Sequence, residues 1–115
     1  MMNDKGDSKS VKGSTASIEQ SSATILVYTP TSCEYKTSDL LSVGAAIENI
    51  LLRGEELGLG CLWIRDVCYS SDEIEKYYKV DAEYYLLCAV AVGYPKESPK
   101  KRPRKSLNEI LYWGN

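Results

Sequence analysis

Histidine is missing from the 115-residue chain, and so is phenylalanine. Without imidazole, no catalytic triad built on a histidine base can form. Zinc also loses one of its two usual ligand types. The four cysteines, Cys33, Cys61, Cys68 and Cys88, contain no C-x-x-C pair, so the sequence predicts no metal site. The N-terminus carries no apolar h-region of the kind that marks a secreted precursor. The longest nearly unbroken apolar run, Tyr84 to Tyr94, is far short of the roughly 20 residues that a membrane-spanning helix needs. The cysteines therefore read as free thiols of a reducing cytosol, and the expected location is cytoplasmic, with no membrane partner. A formal net charge of −2 gives no global attraction to nucleic acid.

What is present is enough for one modest domain, with 43% apolar residues to form a core. Residues 1–22 are rich in Ser, Lys, Asp and Gly and read as a mobile polar tail, with room for a short helical turn at Ser17 to Gln20. The domain proper is expected over 23–115. Residues 24–29, TILVYT, are β-branched and apolar and stop at Pro30, which predicts a buried strand. Thr31 to Asp39 reads as a polar connection. From Ser42 the apolar and small residues fall at Val43, Ala46, Ile47, Ile50, Leu51, Gly54 and Leu57. That spacing puts one stripe on one face of a helix. Ser42 suits its N-cap and Gly58 the left-handed residue that closes it. Gly60 to Ile64 follows as a short buried strand.

A loop is expected over Arg65 to Tyr69. Ser70 and Glu73 have the S-x-x-E spacing of a capping box ahead of a helix from Asp72 to Lys79. Tyr85 to Val92, YLLCAVAV, is the clearest strand, and its continuous apolar character implies burial on both faces. Strand, helix, strand, helix, strand predicts an α+β domain with helices covering a small sheet. Beyond Gly93-Tyr94-Pro95 the charge becomes lopsided. Six of the 14 basic residues lie between Lys96 and Lys105, leaving eight to face 15 of the 16 acidic ones. This arm reads as a solvated surface run, or as a nucleic-acid or import patch. The lack of interleaved aromatics and the acidic remainder speak against nucleic acid. Leu107, Ile110, Leu111 and Trp113 form a short apolar tail that needs a surface to dock on.

Several of these segments, taken in order, resemble the C-terminal half of the FMN-dependent nitroreductase family. They are Ser42-x-Gly44-x-Ala46-x-x-Asn49, Gly58-Leu59-Gly60 with Cys61-Leu62-Trp63-Ile64, Gly93-Tyr94-Pro95, Arg104-Lys105-x-Leu107, and Leu107-Asn108-Glu109-Ile110-Leu111-Tyr112-Trp113. Ser42 stands where the family usually has Asp. The resemblance implies a three-layer sandwich fragment with a small mixed sheet. It also implies an FMN cofactor, a homodimer, and hydride transfer from NAD(P)H to a small aromatic acceptor, a nitroaromatic or quinone. No side chain would be catalytic, because the flavin carries the redox chemistry. By resemblance the cofactor-binding positions are Gly60, Arg65, Asp66, Arg102 and Arg104. The family's N-terminal Arg-rich FMN motif has no counterpart, since residues 1–22 hold no Arg. The expectation is therefore a truncated form of reduced or no activity, or a dimerisation module that keeps the scaffold without flavin.

Overall fold

The computed structural model describes residues 8–32 and 34–114, so Cys33 and residues 1–7 of the expected tail lie outside the described residues. Three strands form one sheet in the order β1-β3-β2, with β1 Ala23–Pro30, β2 Gly60–Ile64 and β3 Tyr84–Gly93. Both ladders are antiparallel, which corrects the expected mixed sheet. β1 and β2 point the same way, but β3 returns between them and takes up the pairing of both.

The central position of β3 follows from its composition. Leu86, Cys88, Ala89, Val90 and Ala91 are all buried, as a strand covered on both faces requires. On one face Cys88 and Val90 pack with Ile47 and, more peripherally, with Val43, Ile50, Leu51 and Cys61. On the other, Leu86, Ala89 and Ala91 pack with Ile64 and Val67, flanked by Ile18, Leu26, Tyr28 and Ile74. Leu86 and Ala89 share a face although they are three positions apart, because the register slips between Val27 and Tyr28. Val27 opposes Cys88 and Tyr28 opposes Leu86, which leaves Leu87 as the surplus residue of a β-bulge. Beside it, the Leu86 N–H donates to Glu75 Oε1 at 2.8 Å, so the irregularity leaves no orphaned donor there.

The first face is covered by α2, Lys36–Glu56. This helix starts well before Ser42, so the expected N-cap is corrected: Ser42 lies inside it and its Oγ donates to the Ser38 carbonyl at 3.0 Å. The apolar stripe continues backward to half-buried Leu40, three residues before Val43, and this carries the helix through the expected loop. The C-terminal end is as anticipated. Gly58 has φ of 76°, its N–H bonds to the Glu55 carbonyl, and the Leu59 N–H reaches back to Gly54. These two bonds make a Schellman closure. Gly54 is buried, and a Cβ there would run into Cys61 Sγ. The missing side chain is what lets α2 settle onto β2.

The opposite face carries α1, Ser8–Gln20, α3, Ser71–Tyr78, and a 3-10 helix, Asp66–Ser70. Helix α1 replaces most of the expected polar tail. Its sequence, SKSVKGSTASIEQ, is a poor helix former, so tertiary contact has to hold it. Ile18 docks on the cluster around Leu86 and Ile64, Ser14 Oγ donates to Asp66 Oδ2 at 3.1 Å, and the Ser22 N–H ties the exit to the Val92 carbonyl at 2.9 Å. The expected capping box at Ser70 does not form. Ser70 ends the 3-10 helix with φ −115° and ψ 22°. That helix runs straight into α3, and the Ser71 N–H is already served by the Cys68 carbonyl.

A capping box closes instead at Ser106, before α4, Leu107–Ile110. There the backbone is extended, and both the Ser106 N–H and its Oγ donate to Glu109 Oε2 at 2.8 Å. Strand β2 is an edge rather than a buried strand, with Leu62 48% and Trp63 44% exposed. No helix among the described residues is long and apolar enough to cross a membrane.

Candidate functional site

The five positions expected to bind a cofactor fall in three places. Gly60 opens β2 and pairs with Gly93 at the end of β3. A Cβ on Gly60 would sit 3.4 Å from Pro95 Cβ, so glycine here admits the Gly93-Tyr94-Pro95 turn. Around this pair lies an open cleft of about 430 Å³, whose lining includes Ser17, Ser21, Gly60, Tyr94 and Lys96. Arg65 and Asp66 stand at the other end of β2, five strand steps away, or roughly 16 Å at about 3.3 Å per residue. They do not line the cleft.

Arg102 and Arg104 lie on the exposed segment that follows β3. Arg104 Nη1 donates only to the carbonyls of Arg102 and Pro103, at 3.3 and 3.4 Å. Neither arginine lines the cleft. Beyond them Leu107, Ile110, Tyr112 and Trp113 stay 65%, 60%, 92% and 70% exposed, so the apolar tail finds no dock on its own chain.

The Arg65–Asp66 loop is the most firmly held of the three. Ile64 before it and Val67 after it are buried in one cluster, so the backbone between them has little freedom. Arg65 Nη2 donates to Tyr69 Oη at 2.8 Å, and its Cζ lies 5.6 Å from the centre of the Tyr69 ring. The bond to the Tyr69 hydroxyl, followed by the phenol's charge, pushes the guanidinium pKa further up from its already high value. Asp66 is held from α1 by Ser14. The sequence points to Arg65 and Asp66 but not to these two supports. The i, i+4 spacing of Arg65 and Tyr69 carried a faint signal, whereas Ser14, 52 residues from Asp66, carried none.

Two other titratable groups are perturbed within the core. Burial pushes the Cys88 thiol up from its ordinary 9.0, which keeps it protonated and unreactive. The Tyr28 hydroxyl is buried without a hydrogen-bond partner. Its pKa is raised from 10.0 first by that burial and then by Glu75 and Tyr78. Among the described residues no cluster of three or more His, Cys, Asp or Glu gathers as a metal site.

Comparison with known proteins places this geometry. The family profile described as "Nitroreductase family" matches residues 8–94. A protein from Desulfovibrio desulfuricans described as a nitroreductase, solved in complex with FMN, is 27% identical with a TM-score of 0.65; the match covers 80% of this chain and 54% of that one. The chain thus spans about half the length of that protein. A Bacteroides thetaiotaomicron protein described as an NADH dehydrogenase/NAD(P)H nitroreductase is 24% identical, with TM-score 0.68 and 92% and 67% covered. A BluB-like flavoprotein from Clostridium difficile 630 is 24% identical, with TM-score 0.68 and 99% and 67% covered. The last two likenesses bear on the fold alone.

Proposed function

Because the chain belongs to the nitroreductase family, we propose that it is a flavoprotein unit that binds FMN and passes electrons from NAD(P)H to a nitroaromatic or quinone acceptor. The observation that carries this reading is the 27% identical relative solved with FMN. When bound, FMN supplies the two-electron redox centre, and the protein supplies binding and orientation.

The residues present suit such a group. Arg102 and Arg104 are exposed, their segment holds Glu97 as its one acid, and the bonds of Arg104 to nearby carbonyls are long. Exchanging them for phosphate oxygens gains short, charge-assisted contacts. The pinned backbone at Arg65 and Asp66 would lie along the edge of the flavin ring, where any side chain is tolerated. Gly60 would keep the cleft at the far end of β2 open. A homodimer would bring the arm of one copy to the loop of the other, and the exposed apolar residues of 107–113 suit an interface between copies.

The test is FMN fluorescence on titration with the purified chain. Saturable quenching is expected at micromolar flavin. Replacing both Arg102 and Arg104 by Ala should weaken it about tenfold or more, since a hydrogen bond to a charged group is worth about 1.5–3 kcal/mol. No quenching, or quenching indifferent to the double substitution, would refute the assignment. A second reading, a dimerisation module without flavin, is favoured by one observation: helix α1 contains no Arg. It predicts a folded dimer that leaves FMN fluorescence untouched.

A further inference from the structure

The flavin reading uses the loop after β2 through its backbone and leaves the Arg65 side chain without a task. Any task for that side chain at the same site rests on the flavin reading. An exposed arginine ordinarily samples many rotamers, and fixing it costs entropy. This one is fixed at both ends. Its backbone is clamped between Ile64 and Val67, 3% and 8% exposed, and its head is held by the hydroxyl and ring of half-buried Tyr69. That bond uses one of the five guanidinium N–H donors. Among the described residues the ion pair present is Arg53–Glu56, so no carboxylate of the described chain lies within ion-pair distance of Arg65. Asp66, its neighbour, accepts from Ser14 on α1. The result is a cation held in place at the loop, open to water, with most of its donors unspent. A guanidinium set out in this way matches the two oxygens of a carboxylate or phosphate.

We propose that Arg65, oriented by Tyr69, is the oxyanion receptor of this loop. It binds the carboxylate of an aromatic acceptor or a phosphate of the nicotinamide donor, and selects anionic substrates over neutral ones of the same shape. Arg65 makes the contact, and Tyr69 is a positioning residue.

The full chain labelled with [15N]arginine is titrated with benzoate, with its neutral isostere benzamide, and with inorganic phosphate, first without flavin and then with FMN. The Arg65 Nε–H resonance should move saturably with the anions. Benzoate should bind at least about tenfold more tightly than benzamide, the yield of one good charge-assisted contact. In Arg65→Gln the preference should shrink to within about twofold. Arg65→Lys, which keeps the charge but not the fork, should fall between. Tyr69→Phe keeps the ring and the Arg65 charge, so a severalfold loss of benzoate affinity there isolates positioning from mere packing.

Tighter benzoate than phosphate binding assigns the acceptor carboxylate, and the reverse order assigns the donor phosphate. Equal affinity for benzoate and benzamide with no saturable response of Arg65 to phosphate, or anion binding that survives Arg65→Gln, would overturn the proposal. Flavin quenching in the same samples separates the two ideas. A chain that ignores both benzoate and phosphate at Arg65 yet quenches FMN loses only this proposal, and one that binds either anion at Arg65 without quenching FMN loses only the flavin reading.

Discussion

Gly54 presents two opposed effects whose sizes can be compared. In the interior of α2 an alanine is worth about 1 kcal/mol over glycine, through lower chain entropy and better backbone shielding. At this position the added methyl would overlap Cys61 Sγ on β2. Overpacking of that kind typically costs about 1–3 kcal/mol, so Gly54→Ala should leave the protein destabilised by up to about 2 kcal/mol. Cys61→Ala removes a half-buried sulfur, at a cost of about 1 kcal/mol or less.

In the double variant the obstacle is gone. The methyl introduced by Gly54→Ala would meet Cβ of the second substituted residue at the 3.7 Å that separates it from Cys61 Cβ, an ordinary contact, and the helical gain is realised. The two substitutions should therefore couple favourably by about 1–3 kcal/mol. Equilibrium urea unfolding of the four proteins, followed by far-UV circular dichroism at one protein concentration, measures the cycle. Gly54→Ala stabilising the unaltered chain by about 1 kcal/mol, with single effects additive within about 0.5 kcal/mol, would show that the α2–β2 approach does not depend on the missing Cβ.

The same structure sets three other outcomes. Glu75→Ala should cost about 1–3 kcal/mol, because the Leu86 N–H loses its acceptor; Glu75→Gln keeps an acceptor and should cost less, with hydrogen exchange at Leu86 as the local probe. Gly58→Ala should cost about 1 kcal/mol for placing a Cβ at φ 76°, and Gly58→Asn should cost less in the same unfolding assay. The carboxyl of Glu109 is held below its ordinary 4.5 by the Ser106 N–H and then by its hydroxyl. A group depressed in the folded state stabilises above its unfolded value and stops doing so as pH falls through the lowered one. Residues 106–110 should therefore stay ordered at neutral pH and fray as the pH falls beneath the ordinary carboxyl value of 4.5; amide NMR shifts that stay constant down to pH 2 would contradict this.

Local chemistry was readable in the sequence wherever a residue's own neighbours decide its conformation. The unbroken apolar run of β3 announced a strand covered on both sides, and Gly58 announced the end of α2. Features that depend on distant partners were hidden. Helix α1 exists because Ile18 and Ser14 find surfaces far along the chain. The S-x-x-E spacing occurs at both Ser70 and Ser106, and only the backbone entering each decides which box closes. At Ser70 a preceding 3-10 helix preempts the amides, while Ser106 arrives extended. The exposure of β2 reflects its place at the sheet edge, which no pattern inside five residues reveals. For the candidate site, the family resemblance singled out Arg65 and Asp66, but the Tyr69 hold on Arg65 and the Ser14 hold on Asp66 arise only from the folded arrangement.

The surplus residue at Leu87 makes the strand sensitive to parity. Bulged out of the ladder, it lets Leu86 lie beside Ala89 on the side of α3; were Leu87 paired within the ladder instead, the first half of the strand would turn over and present Leu86 toward α2 and Tyr85 toward the place Leu86 left. Deleting Leu87 would straighten the ladder and leave both faces intact, whereas deleting a residue between Ala89 and Val92 would turn over the residues between it and the bulge. Changing the length of the 94–106 arm by one would invert nothing, so insertions and deletions among relatives should collect there or at Leu87 and avoid the rest of β3.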